Sequence, residues 1–263
     1  MQWVQQFLDE FPINSTFVFW GILILLSSSA YAGKYFFKNH HTKINDDQAK
    51  IVLGAILSLL GLLIGFVLSI SIGGYNDRQK TEENEMIVIG TAMQRTQLLA
   101  PDQQENAENL LREYLDARIE FFKSQNQLEN KKWRIISVEK QNKLWEIATL
   151  EAKKTPNPVI TSVLTAYSDL YTSQEKTTVS WRDQIPNIVW YLLIFFAIVS
   201  NFLIGYNARK EQGMNLLILI LPFLITLALF IIYEIDIPGK GVIHVTPDDL
   251  VSLKETINYQ IKR

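Results

Sequence analysis

Charge is missing from four long stretches of this chain, and that absence limits its possible folds more than any other feature. Residues 11–33, 51–76, 184–208 and 212–233 contain no Asp, Glu, Lys or Arg over 23, 26, 25 and 22 positions. The 25 basic and 27 acidic residues are crowded into the rest of the chain. A single water-soluble core does not segregate charge in this way, whereas about 20 apolar residues in a helix cross the hydrocarbon of a bilayer. The pattern predicts an all-α membrane protein with four transmembrane helices. The first stretch also carries Ala30-Tyr31-Ala32 before Gly33, which resembles a cleavage site. The tail before it holds Asp9 and Glu10 but no Lys or Arg, so a retained span is expected.

Four spans place the 34–50 and 207–213 connections on one side of the membrane. Lys34, Lys38, Lys43, Lys50, Arg209 and Lys210 fall there, six basic residues in 24 positions. On the other side, 63 positions of tail and span flank hold five, namely Arg78, Lys80, Lys176, Arg182 and Lys240. Basic residues resist translocation, so the short connections are expected to be cytoplasmic. The cell (inner) membrane is the expected location, with both termini and the middle region extracytoplasmic. Tyr35 and Tyr206, and Tyr75, Trp181, Trp190 and Tyr233, suit aromatic belts at the two interfaces.

The division that follows has four parts. Residues 1–76 hold the N-terminal tail and spans one and two, and residues 77–183 an inserted extramembrane four-helix bundle. Spans three and four lie in 184–233, and 234–263 is a C-terminal tail with a short amphipathic helix. Within the middle region Pro occurs only at Pro101, Pro156 and Pro158, and the breaks predict helices near 73–99, 102–127, 132–153 and 159–183. The first and last of these are expected to continue from spans two and three without interruption. Ala107, Leu110, Leu111, Tyr114, Phe121 and Phe122 share one face of the second helix. Ile160, Val163, Leu164, Tyr167, Tyr171 and Trp181 do so on the fourth. On the first, Met86, Ile89 and Met93 lie to one side and Val88, Ala92 and Leu99 to another. That is either one wide core stripe or two faces with a second partner. In the tail, Thr246, Pro247 and Asp249 suit the N-cap, N1 and N3 positions of a last helix.

No catalytic fingerprint is present, and the absence of cysteine excludes disulfides, thiol catalysis and zinc–thiolate or iron–sulfur sites. A net charge of −2 leaves no basic footprint for nucleic acid. His40-His41 with Asp46 and Asp47 read as plain loop, because adjacent histidines on a flexible segment rarely chelate together. The Asn14-Ser15-Thr16 sequon is an equally weak signal. Asn201 in span three and Pro222 in span four read as packing features. No metal, cofactor or enzymatic activity is expected.

Two features are sharper. Gly54, Ser58, Gly61, Gly65, Ser69 and Gly73 place small residues on one slowly drifting face of span two. There they serve packing against a neighbouring span, an oligomer seam or a pore lining. Arg118 sits in the apolar face of the second bundle helix, level with Glu82 and Glu85 on the first and Gln174 and Thr178 on the fourth. That polar layer is either a structural ion pair that fixes register or a site for a small ion or ligand.

Several segments resemble a bacterial membrane family described as bestrophin-like. They are Gly61-Leu62-Leu63-Ile64-Gly65-Phe66, then Glu85 and Ile89-Gly90-Thr91-Ala92 to Arg95, Leu98 and Leu99. Leu111-Arg112-Glu113-Tyr114 with Arg118, and Glu234-Ile235-Asp236-Ile237-Pro238 with Gly241 and Val245-Thr246-Pro247, complete the resemblance. It implies similarity to bestrophins, which are pentameric anion channels with four spans and helical cytosolic parts. The chain departs from them in having Phe66 as the one phenylalanine of span two, no acidic calcium clasp and a middle region expected to face outward. Two functions are expected to compete. One is an oligomeric ion channel or transport component in the lipid bilayer. The other is a non-conducting extracytoplasmic sensor or membrane scaffold.

Overall fold

The computed structural model describes residues 15–36, 46–124, 126–209, 216–239 and 243–261. The described residues are mostly helical, with no strand among them. In chain order the helices are α1 (Ser15–Phe36), α2 (Asp46–Thr96), α3 (Pro101–Lys123), α4 (Gln127–Lys154), α5 (Pro158–Arg182), α6 (Asn187–Asn207), α7 (Leu217–Asp236) and α8 (Asp248–Ile261). The chain divides into two compact units. One consists of Met1–Gly73 and Gln184–Ile237, the other of Gly74–Asp183 and Pro238–Arg263. The His40-His41 pair, Asn14 and Gly241 lie outside the described residues.

In the first unit, α1, the apolar part of α2, α6 and α7 have the length and composition to cross a membrane. Their shared core is small: Leu26, Leu60, Val67, Leu193, Ala197, Ile225, Leu229 and Ile232 are buried together. Most other apolar side chains point outward, as lipid-facing helices require. The most intimate contact joins α1 to α6. A Cβ on Gly33 would lie 2.0 Å from the Phe202 carbonyl oxygen, and one on Gly205 would lie 1.7 Å from that of Ala30. Only glycine permits backbones to approach so closely. Ser29 Oγ donates across the same seam to the Ile198 carbonyl at 2.9 Å. Asn201 is buried and spends its amide nitrogen on the Ala197 carbonyl of its own helix at 2.7 Å.

The expected continuity of span two with the following helix is present, since α2 runs unbroken through 51 residues. The same expectation for span three is corrected: α5 stops at Arg182 and α6 starts at Asn187. Pro186 offers no N–H and disfavours helical backbone at Ile185 before it. The freed Ile185 N–H donates instead to Asp236 Oδ1 at 3.0 Å.

In the second unit, α2 beyond Gly74, α3, α4, α5 and α8 surround one core that includes Ile89, Leu111, Phe122, Leu144, Tyr167 and Leu250. The sequence punctuates these helices clearly. Pro101 occupies the first turn of α3, Asn126 accepts from Leu128 N–H at the start of α4, and Asn157 caps α5 through Ile160 N–H. Short connections make α3, α4 and α5 sequential neighbours. Along α2 beyond Gly74 and in the turn that follows it, the buried positions are Arg78, Glu82, Glu85, Ile89, Ala92, Thr96 and Leu99, alternating steps of four and three as in a coiled-coil seam. Met86, Val88 and Met93 flank that seam against the same core, so the wide apolar stripe serves one core. Gly239 turns the chain towards α8 with φ +67°, and a Cβ there would come within 2.8 Å of the Trp181 ring.

Candidate functional site

The polar layer of the second unit is built on the α2 seam. Arg118, from α3, donates through Nε to Glu85 Oε2 at 2.6 Å and through Nη2 to Glu85 Oε1 at 2.7 Å. Both side chains are almost fully enclosed, at 1% and 0% exposure. Thr177 Oγ1, from α5, also donates to Glu85 Oε1. The guanidinium lies over the Phe121 ring at 4.3 Å, so its apolar face is covered as well. Burial alone would pull the Arg118 value down. The Glu85 charge and hydrogen bonds more than offset that and hold it above its ordinary range.

Beside the ion pair, Tyr114 donates to Gln174 Oε1 at 3.3 Å and accepts from Gln141 Nε2 at 3.1 Å. Burial, helped by the Glu85 charge, pushes the Tyr114 phenol far above its normal value, so it stays protonated. Asn84 donates to Ser173 Oγ at 2.9 Å. Further along the seam, Thr96 spends its proton on the Ala92 carbonyl, which leaves Tyr167 to donate to Thr96 at 2.8 Å. Burial raises Tyr167 to about 12.

Glu85 and Arg118 therefore meet, and Gln174 is tied in beside them through Tyr114, while the other two expected members do not join them. Glu82 is buried but reaches α8, where its Oε1 accepts from Leu250 N–H at 3.0 Å. Thr178 is half-buried and donates to the Gln174 carbonyl of its own helix, so the layer uses its neighbour Thr177 instead. Gln141 went unrecognised in the sequence. The Ser137–Gln141–Leu144–Ala148 spacing on α4, all buried, is the signal that exposes it.

Chemically, the ion pair is saturated, while Gln174 Nε2 and Gln141 Oε1 beside it are buried with no hydrogen-bond partner among the described residues. A carboxylate that accepts from two guanidinium nitrogens and a hydroxyl has little capacity left for a metal or a proton acceptor role. Among the described residues no three His, Asp or Glu side chains converge as a metal cage requires.

The small-residue face of α2 is the opposite case. Gly54, Ser58, Gly61, Gly65, Ser69 and Gly73 are all exposed. A Cβ added at Gly54, Gly61, Gly65 or Gly73 would meet nothing within 4 Å. The reading of this face as a seam with a neighbouring span of the same chain is thereby corrected. The close glycine packing occurs between α1 and α6 instead, where Ala197, Asn201 and Gly205 repeat every fourth position.

Four apolar helices of spanning length, with close glycine packing between two of them, define an all-α integral membrane protein. A family model described as Bestrophin-like domain matches residues 20–250, and the chain belongs to the bestrophin-like family. No curated protein and no solved structure matches it.

Proposed function

We propose that the chain is a non-catalytic component of a homo-oligomeric channel or transporter, in which the Gly/Ser face of α2 meets another copy or a wet path between copies. The observation that carries this reading is the uncovered state of that face within a single chain. Small residues let backbones approach closely and expose hydroxyl and backbone dipoles, which suits a seam or a narrow pore better than lipid. Membership of the bestrophin-like family agrees with ion conduction as the class of activity. The distribution of basic residues supports an orientation with the second unit and both termini outside the cytoplasm. Impermeant maleimide on whole cells tests that orientation: a cysteine placed at Asn106, exposed on α3, should label and one at Asn45 should not. The reverse pattern contradicts it.

Reconstituted protein should pass anions or cations above the leak of empty vesicles, and Ser69→Trp should block that flux. Absence of flux across several ions removes the channel reading. A second reading, an extracytoplasmic sensor or scaffold, is favoured by one feature of the second unit. An open cleft of about 620 Å³ is lined by Asp77, Tyr171, Glu175, Lys176 and Asp183. A dry α2 seam together with absent flux would put this reading first.

A further inference from the structure

A glutamine amide carries two N–H donors and a carbonyl oxygen, and burying it is costly unless both ends are met. The second unit buries two of them. Gln141 on α4 is 1% exposed and Gln174 on α5 is 2% exposed. Both lean on one phenol of α3. Tyr114, fully buried itself, accepts from Gln141 Nε2 at 3.1 Å and donates to Gln174 Oε1 at 3.3 Å. That satisfies one end of each amide. The other ends, Gln141 Oε1 and Gln174 Nε2, are buried with no hydrogen-bond partner among the described residues. One is an acceptor and the other a donor. Turning both amides round reverses the relay through Tyr114 and leaves the same complement, one amide oxygen and one amide nitrogen.

We propose that the second unit holds one buried water molecule between Gln141 and Gln174, which accepts from the free amide nitrogen and donates to the free amide oxygen. Because both amides touch the same hydroxyl, each free end is only one amide width away from it, the scale on which a single water bridges two groups. Buried waters make about three hydrogen bonds, and the two amides supply two of them. The Tyr114 oxygen accepts once from Gln141 and has a second lone pair for the third.

An ion does not fit the same place. A cation would find one carbonyl oxygen beside the Arg118 guanidinium, and an anion one amide N–H beside the Glu85 carboxylate. Those two charges are spent on each other at 2.6 Å, and they act on the Tyr114 phenol in opposite senses. Hydroxyls buried on the same two helices have partners of their own. Ser137 Oγ donates to the Trp133 carbonyl, Ser173 Oγ accepts from Asn84 and Thr177 Oγ1 donates to Glu85. The polar layer is therefore a site for a small neutral molecule, and the water links α4 to α5 at the level of Tyr114. It does not depend on conduction or on the oligomer.

The direct test is a structure of the full chain in lipid at a resolution that shows ordered water. A density peak about 2.7–3.2 Å from an amide atom of Gln141 and from an amide atom of Gln174 is expected. Gln141→Met and Gln174→Met keep the length of the side chain and remove the amide. Each should abolish the peak while Arg118 stays on Glu85. A second measurement needs no variant. Proton-detected NMR of the parent in lipid should show a cross-peak between water and a side-chain amide proton of Gln141 or Gln174, although both are buried. The proposal is overturned if the two amides bond directly to each other with no peak between them, or if the peak survives in either methionine variant. Absence of a water cross-peak at both amides overturns it as well.

Discussion

Two glycine-bearing surfaces of the same membrane unit have opposite fates. On α1 and α6, Gly33 and Gly205 are pressed against carbonyl oxygens that a Cβ would strike at 2.0 and 1.7 Å. On α2, four glycines at small-residue spacing have open space around them. The first pair is fully explained by the chain's own packing. The second set touches nothing among the described residues of one chain, and the role proposed for it involves what lies outside. A motif of small residues thus signals close approach without naming the partner, and the structure separates the contacts a chain has used from those it offers.

Substitutions that remove used contacts should be costly, and those on the offered face should be nearly silent in an isolated chain. The largest effect is expected at the most completely used side chain. Arg118→Leu strands the buried Glu85 carboxylate, at a cost of about 3–5 kcal/mol. Adding Glu85→Gln should restore part of the thermal stability, because a neutral amide is cheaper to bury than an unpaired charge. An unchanged melting temperature in Arg118→Leu would mean that the ion pair does not hold the helices together.

Next come Gly33→Ala and Gly205→Ala. The added Cβ meets backbone, which cannot rotate aside, so about 1–3 kcal/mol of destabilisation is expected from thermal unfolding in detergent. Gly61→Ala is expected to have the smallest effect. In single chains it should shift stability by less than about 1 kcal/mol, and towards greater stability, since glycine weakens helices. A large loss there would show that the chain packs this face internally, and the contrast between the two surfaces would collapse.

Much of this arrangement is legible in the sequence, for physical reasons that can be located. The spans are visible because charge is excluded from hydrocarbon over whole segments. The continuity of α2 is visible because no proline interrupts it. The α5–α6 break lies beside a charge-free stretch, where hydropathy does not register the backbone geometry that Pro186 imposes. The polar layer was legible as a height along the helices, since Arg118, Glu85 and Gln174 follow from counting residues back from the turns. Which acid pairs with Arg118, and whether Thr177 or Thr178 contributes, depends on rotations of less than one turn. Counting does not resolve those. The α1–α6 seam was the hardest to anticipate. A glycine shows in sequence that a close contact is allowed, but the carbonyl it accommodates comes from a segment far away in the chain.

Whether the α2 face is covered by another copy or lines a wet path between copies is decided by a spin label at Ser69→Cys in lipid. Its relaxation by oxygen, which partitions into the bilayer, is compared with relaxation by a water-soluble nickel chelate. Weak relaxation by both reagents is expected for a packed seam, and strong relaxation by nickel for a wet path. Strong relaxation by oxygen with little by nickel would place Ser69 against lipid and contradict the account.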